Sequence, residues 1–279
     1  MLKNIFKKVQ HIIIRVIERY SLINIFILNN IKYFKLFLPH DKDYLGLKIL
    51  FANKKIFNGS FIDIGANTGS SILSFRSMGF KNVIYSFEPN FFFLFNKYLI
   101  KLKKNDTNLR IFNNALSDNN SFLIFYIPYI KKRCIHYFSS FSKNYVKFSM
   151  NNTFPGKKFE LQKNKIKVNK LDNFYFNKKI DLIKIDSEGH DLHVLRGGKK
   201  TIKKYKPILL IEYNRELFFK ICSELGKTFK AYYYSINNNN FIKINSSNFD
   251  KLCRFGHKDL LSIRNIFFIP TSKLELLNC

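Results

Sequence analysis

The sequence predicts an α/β domain built on a largely parallel sheet, preceded by a helical extension. From residue 60 onward, short apolar runs alternate with stretches of helical periodicity, which is typical of strands joined by crossover helices. A chain of 279 residues, 46% of them hydrophobic, can bury a core of this kind without disulfides or a structural metal. The four cysteines are scattered and form no C-x-x-C pair, which favours free thiols in a reducing cytoplasm.

The individual elements follow from local signals. Apolar runs that end at turn residues predict strands at 61–64, 83–87, 109–113, 122–127, 181–185, 207–211 and 266–269. Apolar residues that recur every three or four positions predict helices at 70–78, at 90–102, from about 189, and at 215–225. The segments 229–236 and 241–244 flank an asparagine-rich turn and predict a hairpin, while residues 115–118 predict a turn.

Residues 129–165 interrupt this alternation. The segment is basic and shows no clear periodicity, so we interpret it as irregular. A long irregular connection inside a compact domain is typical of a lid or a binding loop. The sequence therefore predicts that 129–165 is an insertion that contacts the substrate.

The net charge of +29 comes from 48 basic and 19 acidic residues. It is compatible with nucleic-acid binding, with attachment to an anionic membrane, or with a background bias in amino-acid usage. The excess is spread along a chain rich in Lys, Asn, Ile and Phe, which favours the background bias. Charge alone therefore does not identify a partner.

The first forty residues combine an apolar helical face with basic residues on the other faces. Charges and asparagines interrupt the apolar run, which argues against a membrane-spanning helix and against a secretory signal. A basic amphipathic helix can lie on an anionic membrane, or it can pack against its own domain. Packing is the commoner arrangement, and both interpretations of 1–40 stay open.

The first chemical motif lies where a predicted strand turns into a helix. Asp63 lies near the end of the strand, Gly65 permits a tight turn, and Gly69 permits close helix packing. Asn67 and Ser70 occupy the second and third glycine positions of a dinucleotide fingerprint, and no phosphate-loop pattern is present. Because open parallel sheets bind ligands at the carboxyl ends of their strands, the motif predicts a nucleoside cofactor that is cationic rather than a polyphosphate.

Acidic residues follow three further strands. Glu88 ends the second strand, where a carboxylate can accept hydrogen bonds from ribose hydroxyls; alternatively, it is an ordinary exposed acid. Beyond the strand at 181–185 the chain carries acids and a histidine at Asp186, Glu188, His190 and Asp191. Such a group could supply a general base, a metal site or an anchor for a cation, although acids also favour a helix start. Glu212 and Asn214 follow the next strand.

Taken together, the segments FIDIGANTG, SFEP, NNALSD, IDLIKIDSEGHDLHVLRGG, KPILLIE and NIFFIP resemble the FkbM family of S-adenosylmethionine-dependent methyltransferases. The resemblance runs from about residue 61 to 270. It implies the class I methyltransferase (Rossmann-like) fold, with a seven-stranded, mostly parallel sheet, helices on both faces and an antiparallel last strand. The chain is then an N-terminal helical extension at 1–57 and a methyltransferase domain at 58–279, within which 129–165 is the lid or acceptor insertion.

The resemblance also implies a site. Residues at the glycine turn and the following strand ends contact the cofactor, with Glu88 on the ribose and the 116–118 turn at the adenine; these residues are Asp63, Gly65, Ala66, Asn67, Gly69, Glu88, Ser117, Asp118 and Asp186. Asp186 is the leading candidate for the general base, followed by His190 and Glu188. His190 stands where the family more often has a small residue.

The implied reaction is transfer of a methyl group from S-adenosylmethionine to a hydroxyl oxygen, with a sugar of a polysaccharide or glycolipid as acceptor. No metal is predicted, although a divalent ion held by Asp186, Glu212 and Asn214 is an alternative. One rival is an RNA methyltransferase, which the acids and the missing proline pair after residue 185 disfavour, although aromatic and basic residues of 129–138 could stack and clamp a strand. Another is a non-catalytic membrane-associated scaffold, which would not need the glycine turn. The expected location is cytoplasmic; if 1–40 lies on a membrane rather than against the domain, the contact is peripheral, at the inner membrane face. Nucleic acid is not an expected partner.

Overall fold

A computed structural model of the protein describes residues 41, 43–52, 57–89, 96–245, 248–249 and 263–278. The predicted helix within 1–40 and the start of the predicted helix at 90–102 lie outside the described residues. Within the described part of the chain, no helix has the length and apolar character needed to cross a bilayer.

Helices and strands alternate along most of the described chain, as the hydrophobic pattern predicts. In order they are α1 (Tyr44–Ala52), β1 (Ser60–Ile64), α2 (Ser70–Ser77), β2 (Ile84–Phe87), α3 (Asn96–Asn105), β3 (Leu109–Phe112), β4 (Ala115–Leu116), β5 (Ser121–Ile130), β6 (Arg133–Cys134), α4 (Lys143–Thr153), β7 (Glu160–Asn169), β8 (Ile180–Ile185), α5 (Asp191–Gly197), α6 (Lys199–Tyr205), β9 (Ile208–Glu212), α7 (Arg215–Leu225), β10 (Phe229–Ser235), β11 (Asn240–Lys243) and β12 (Asn265–Pro270).

The main sheet has eight strands among the described residues, in the order β11-β10-β12-β9-β8-β1-β2-β3. The ladder from β9 through β8, β1 and β2 to β3 is parallel, whereas β12 runs antiparallel between β9 and β10. The expected antiparallel last strand is therefore present. The expected count of seven is one short, because β11, the second strand of the predicted hairpin, pairs with β10 and extends the sheet edge.

Helices cover both faces of this sheet. Side chains alternate across β1, so that Ile62 packs in the same apolar cluster as Leu192 of α5, while Phe61 packs with Leu47 of α1 and Phe75 of α2. Strands buried on both faces are mostly apolar, which explains why β1, β8 and β9 appear in the sequence as apolar runs that only a few charged residues interrupt.

The segment 129–165 is ordered, and its interpretation as an irregular connection is wrong. It completes β5, forms β6 and α4, and begins β7, in a second sheet with the order β4-β7-β5-β6. The turn predicted at 115–118 begins with β4, which pairs with β7. The sequence conceals β7 because lysines fill most of its outward positions, so the strand lacks the apolar content that marks the others. Val146 and Met150 of α4 pack against this small sheet together with Ile135.

Candidate active site

The turn between β1 and α2 leaves no room for a side chain at Gly65. Gly65 has φ +77°, and a Cβ atom there would lie 1.8 Å from the backbone oxygen of Asp186. The carboxyl ends of β1 and β8 therefore touch at this point. Gly69 begins α2 with φ +85°, and a Cβ there would lie 2.6 Å from Leu102 Cδ1 of α3. Both positions need glycine for its backbone conformation and for close packing.

Glu88 lies beside this turn. The backbone N–H of Asn67 donates a hydrogen bond of 2.7 Å to Glu88 Oε2, so the acid at the end of β2 is tied to the turn that follows β1. Asn67 itself has φ +47°, in the left-handed region. The structure thus brings together the two features that the sequence assigned to the cofactor, the glycine turn and the acid one strand away.

Asp63, in the strand that leads into the turn, is fully buried. Its carboxylate accepts a 2.6 Å hydrogen bond from the Ser71 hydroxyl and lies 3.6 Å from Lys184 Nζ. Lys184 also forms an ion pair of 3.1 Å with Asp186. Asp63 therefore supports the site from below, and the nearby Ala66 is likewise buried.

Sequence reasoning missed Lys184. Burial by itself lowers the pKa of this lysine, but the carboxylates of Asp186 and Asp63 outweigh burial and raise the pKa well above its usual value. Lys184 therefore stays charged inside the sheet and links two strand ends. Its signal was present: a lysine between two isoleucines, near the end of a fully buried strand, requires buried acidic partners.

Four carboxylates gather where β8 and β9 end: Asp186, Glu188, Asp191 and Glu212. Burial and the charge of Asp186 raise the pKa of Glu188 to about 8. Burial, followed by Asp186 and Glu188, raises the pKa of Glu212 well above its usual value. Asp191 is different, because its carboxylate accepts hydrogen bonds from the Ser187 N–H and hydroxyl and thereby orders the loop before α5. The cluster is an acidic site in a strongly basic protein.

The segment 129–165, which contributes to the small sheet, contacts the carboxylate cluster at Glu188. Tyr145 of α4 donates a 2.6 Å hydrogen bond to Glu188 Oε2, and the Ser140 hydroxyl donates one of 2.7 Å to the Glu188 backbone oxygen. Glu188 has φ +52° and Gly189 has φ +88°. A non-glycine residue in this region costs about 1 kcal/mol or more, so these two contacts hold a strained backbone in place. Sequence reasoning missed Tyr145 and Ser140, because no local pattern links residues so far apart.

His190 belongs to another part of the site. Its Nε2 lies 2.9 Å from Ser117 Oγ, and its ring stacks on His193 with a centroid distance of 4.5 Å. His193 Nδ1 in turn lies 2.7 Å from Asp118 Oδ2. Burial, with a smaller effect of His193, lowers the pKa of His190 to about 4, so the ring is neutral at pH 7. The structure therefore joins His190 to Ser117 and Asp118, the positions that the sequence assigned to the adenine.

The described residues contain no group of three or more His, Cys, Asp or Glu side chains arranged to hold a metal ion. Asn214, one member of the alternative metal set, is the N-cap of α7, and its side-chain oxygen accepts hydrogen bonds from the N–H groups of Glu216 and Leu217. Its amide oxygen is therefore used to begin a helix.

The sequence profile of the family described as "Methyltransferase FkbM domain" matches residues 63–241, more than half of the chain. This chain belongs to the FkbM methyltransferase family. The matched region begins at the acid before the glycine turn and includes every residue of the carboxylate cluster. No curated protein sequence matches this FkbM chain.

Solved structures of methyltransferases share low similarity with this FkbM chain. A methyltransferase FkbM from Methylobacillus flagellatus KT is 14% identical with a TM-score of 0.45, over 79% of this chain and 47% of that one. This chain thus spans about half the length of that protein. A precorrin-6y C5,15-methyltransferase from Geobacter metallireducens GS-15 is 9% identical with a TM-score of 0.36, over 83% of this chain and 90% of that one.

Proposed function

We propose that this FkbM-family protein transfers a methyl group from S-adenosylmethionine to a hydroxyl oxygen on a sugar of a polysaccharide or glycolipid. The observation that supports the proposal most strongly is the group of carboxylates beside the Gly65 turn. S-adenosylmethionine carries a positively charged sulfur and an ammonium group. In a chain with a net charge of +29, a local acidic site selects for a cationic ligand.

The residues present fit this cofactor. Gly65 has no side chain, so a nucleoside could approach the backbone closely at this end of a parallel strand. Glu88 is held next to that turn, where its carboxylate would accept hydrogen bonds from ribose hydroxyls. Ser117 and Asp118 would edge the adenine. Glu188 and Glu212 have raised pKa values because like charges crowd a buried site, and a bound cation would relieve that repulsion.

When bound, S-adenosylmethionine would supply a methyl group on a sulfonium, a leaving group that would depart as a neutral thioether with the electron pair of the broken bond. Glu188 accepts the proton of the acceptor hydroxyl. Its pKa of about 8 lies near the operating pH, which suits a general base. Tyr145 orients the carboxylate, and it remains a donor because burial and Glu188 raise its own pKa.

Asp186 and His190, the other two candidates for the base, have different surroundings. Asp186 is ion-paired with the buried Lys184, an arrangement that suits attraction of the cofactor rather than proton uptake. His190 has a pKa of about 4, which makes it a weak base, and its hydrogen bond to Ser117 suits the adenine side of the site. We therefore assign proton transfer to Glu188.

The acceptor would approach from the segment 129–165, because Ser140 and Tyr145 of that segment reach Glu188. Cys134 and Cys222 are free thiols, which supports the reducing cytoplasm as the compartment. The sugar hydroxyl is proposed from the family alone.

The proposal is tested by incubating the purified chain with methyl-labelled S-adenosylmethionine and separated fractions of cell polysaccharide, glycolipid and RNA. We expect label in a glycan-containing fraction, as a methyl ether that survives mild alkali. The Glu88→Gln variant, which weakens ribose binding, serves as the negative control. Label in RNA, or binding of S-adenosylmethionine without transfer to any fraction, would contradict the proposed acceptor.

A further inference from the structure

The small sheet exposes an apolar pair framed by lysines. On β5, Phe122 and Ile124 point to the same face, and they lie directly opposite Lys167 and Lys165 of β7. Lys163 continues the row and lies opposite Tyr126. We call these exposed side chains the Phe122 face: Phe122, Ile124, Lys163, Lys165 and Lys167.

Helix α4 covers only part of this side of the sheet. Tyr126, Ile130 and Leu161 pack with Val146 and Met150 of the helix and its neighbours. Beyond that helix Phe122 is 58% exposed and Ile124 is 41% exposed. An aromatic ring and a branched aliphatic side chain thus stand next to each other in solvent, whereas neighbouring residues on the same side are partly buried.

The charge of the Phe122 face has one sign. Alternate residues of a strand share a face and lie about 7 Å apart, so Lys163, Lys165 and Lys167 form a regular row. The acid on β7, Glu160, pairs with Tyr129 and belongs to the opposite face. An apolar pair beside three exposed lysines complements a surface that is anionic outside and apolar beneath.

We propose that the Phe122 face docks on an anionic lipid bilayer, with Phe122 and Ile124 entering the interface and the three lysines contacting lipid phosphates. The proposal uses none of the active-site residues, so it is independent of the proposed function. The helix α4 that borders this face also carries Tyr145, which donates a hydrogen bond to Glu188. Docking would therefore place the bilayer next to the segment from which the acceptor is proposed to approach.

Two other occupants fit less well. A single-stranded nucleic acid needs open aromatic faces for base stacking, but Lys165 Nζ lies 5.2 Å from the centroid of the Phe122 ring and Ile124 has no ring. The segment 1–40 is itself basic, with lysines and arginines at positions 3, 7, 8, 15, 19, 32 and 35, so it would repel the lysine row.

The absence of tryptophan from the chain allows a specific test. In the full-length Phe122→Trp variant, the only tryptophan would report on the face. We expect its emission to shift to shorter wavelength on addition of vesicles made of equal parts phosphatidylglycerol and phosphatidylcholine, and to stay unchanged with pure phosphatidylcholine. Tyr175→Trp, at a position that is 87% exposed and outside the face, is the matched control and should not shift.

Cosedimentation with the same vesicles distinguishes binding through the Phe122 face from binding through positive charge spread over the whole surface. Removing the row in Lys163→Gln/Lys165→Gln/Lys167→Gln should weaken partitioning about 100-fold, because each lysine near an anionic surface contributes roughly a factor of five. The control Lys200→Gln/Lys203→Gln/Lys204→Gln removes three exposed charges from α6 and should weaken it only a few-fold. Phe122→Thr/Ile124→Thr keeps β propensity and should lower binding that persists at high salt.

Several outcomes would overturn the proposal. Unshifted tryptophan emission from the Phe122→Trp variant, with a circular dichroism spectrum and thermal transition that match wild type, would exclude contact of the ring with lipid. Equal losses in the two triple-lysine variants would mean that binding is diffuse. Quenching of the same tryptophan by single-stranded RNA, without vesicle binding, would assign the face to nucleic acid.

Discussion

The Tyr145 hydroxyl donates a 2.6 Å hydrogen bond to Glu188 Oε2 and joins residues 43 positions apart in the chain. The tyrosine comes from α4, beside the small sheet, and the glutamate comes from the loop after β8 of the main sheet. This contact makes the ionisation of an acid at the proposed catalytic centre depend on the segment 129–165.

Removing this contact should change the pH dependence of the reaction. The hydrogen bond from Tyr145 lowers the pKa of Glu188, so Tyr145→Phe raises it above about 8. A base acts only when it is deprotonated. We therefore expect the rising limb of kcat/KM against pH to move to higher pH and the rate at pH 7 to fall about tenfold. Tyr137→Phe is the matched control. An unmoved profile in Tyr145→Phe would separate Tyr145 from catalysis.

The three candidates for the base can be ranked by conservative substitution. Removing the base in Glu188→Gln should lower kcat by about 10²- to 10⁴-fold. His190→Gln should stay within a few-fold of wild type, because a ring with a pKa of about 4 is a weak base and its Nε2 is held by Ser117. Asp186→Asn should mainly weaken cofactor binding, seen as a higher KM for S-adenosylmethionine. A larger loss of kcat in His190→Gln than in Glu188→Gln would reverse our assignment.

Binding of the cofactor should release protons. At pH 7 Glu188, with its pKa of about 8, is mostly protonated in the free protein, and a bound cation favours the ionised form. Isothermal titration calorimetry with S-adenosylmethionine should therefore give binding heats that differ between buffers of different ionisation enthalpy. Glu188→Gln should reduce that difference. The same heat in every buffer would show that no proton leaves.

The glycine turn allows a matched comparison of stability. Gly79 also has positive φ, at +91°, but a methyl group added there would meet no atom within 4 Å, whereas at Gly65 it would strike the Asp186 backbone. Gly79→Ala should lower the free energy of unfolding by about 1–2 kcal/mol, the cost of the left-handed conformation. Gly65→Ala should cost roughly 3 kcal/mol more, because backbone must move. If urea titrations gave the same loss of unfolding free energy for Gly65→Ala and Gly79→Ala, β1 and β8 would not be in close contact at Gly65.

The buried ion pairs of Lys184 with Asp63 and Asp186 predict that substitutions at Asp63 and Lys184 have non-additive effects on stability. Lys184→Met leaves Asp63 and Asp186 without their shared cation and should lower the free energy of unfolding by about 3–5 kcal/mol. Asp63→Asn/Lys184→Met removes one of the stranded charges and should be more stable than Lys184→Met alone. Urea titration of the single and double variants measures how strongly the effects of the two substitutions on the free energy of unfolding depend on each other. A double variant whose loss of stability equals the sum of the losses in the single variants would argue against the pairing.

The strands that lie inside the main sheet could be predicted from the sequence because their surroundings are uniform. β1, β8 and β9 are buried on both faces, so apolar runs ending at glycine or an acid locate them within a residue or two. The same reasoning placed Gly65 and Glu88 at neighbouring strand ends, since parallel strands end at a common edge. In the small sheet the sequence predicted part of β5, at 122–127, whereas β6 and β7 escaped prediction, because lysines on β7 hide the alternation.

By itself, the sequence determined the strands inside the main sheet, the glycine turn and the family. Only the tertiary structure decided which side chains meet: that Asp63 supports the turn from below, that His190 joins Ser117, and that Tyr145 reaches Glu188. The physical reason is that a strand or a turn is specified by neighbours along the chain, whereas a hydrogen bond between distant segments depends on how two sheets pack. Ionisation follows packing, so the raised pKa of Glu188 could not be read from its position in the chain.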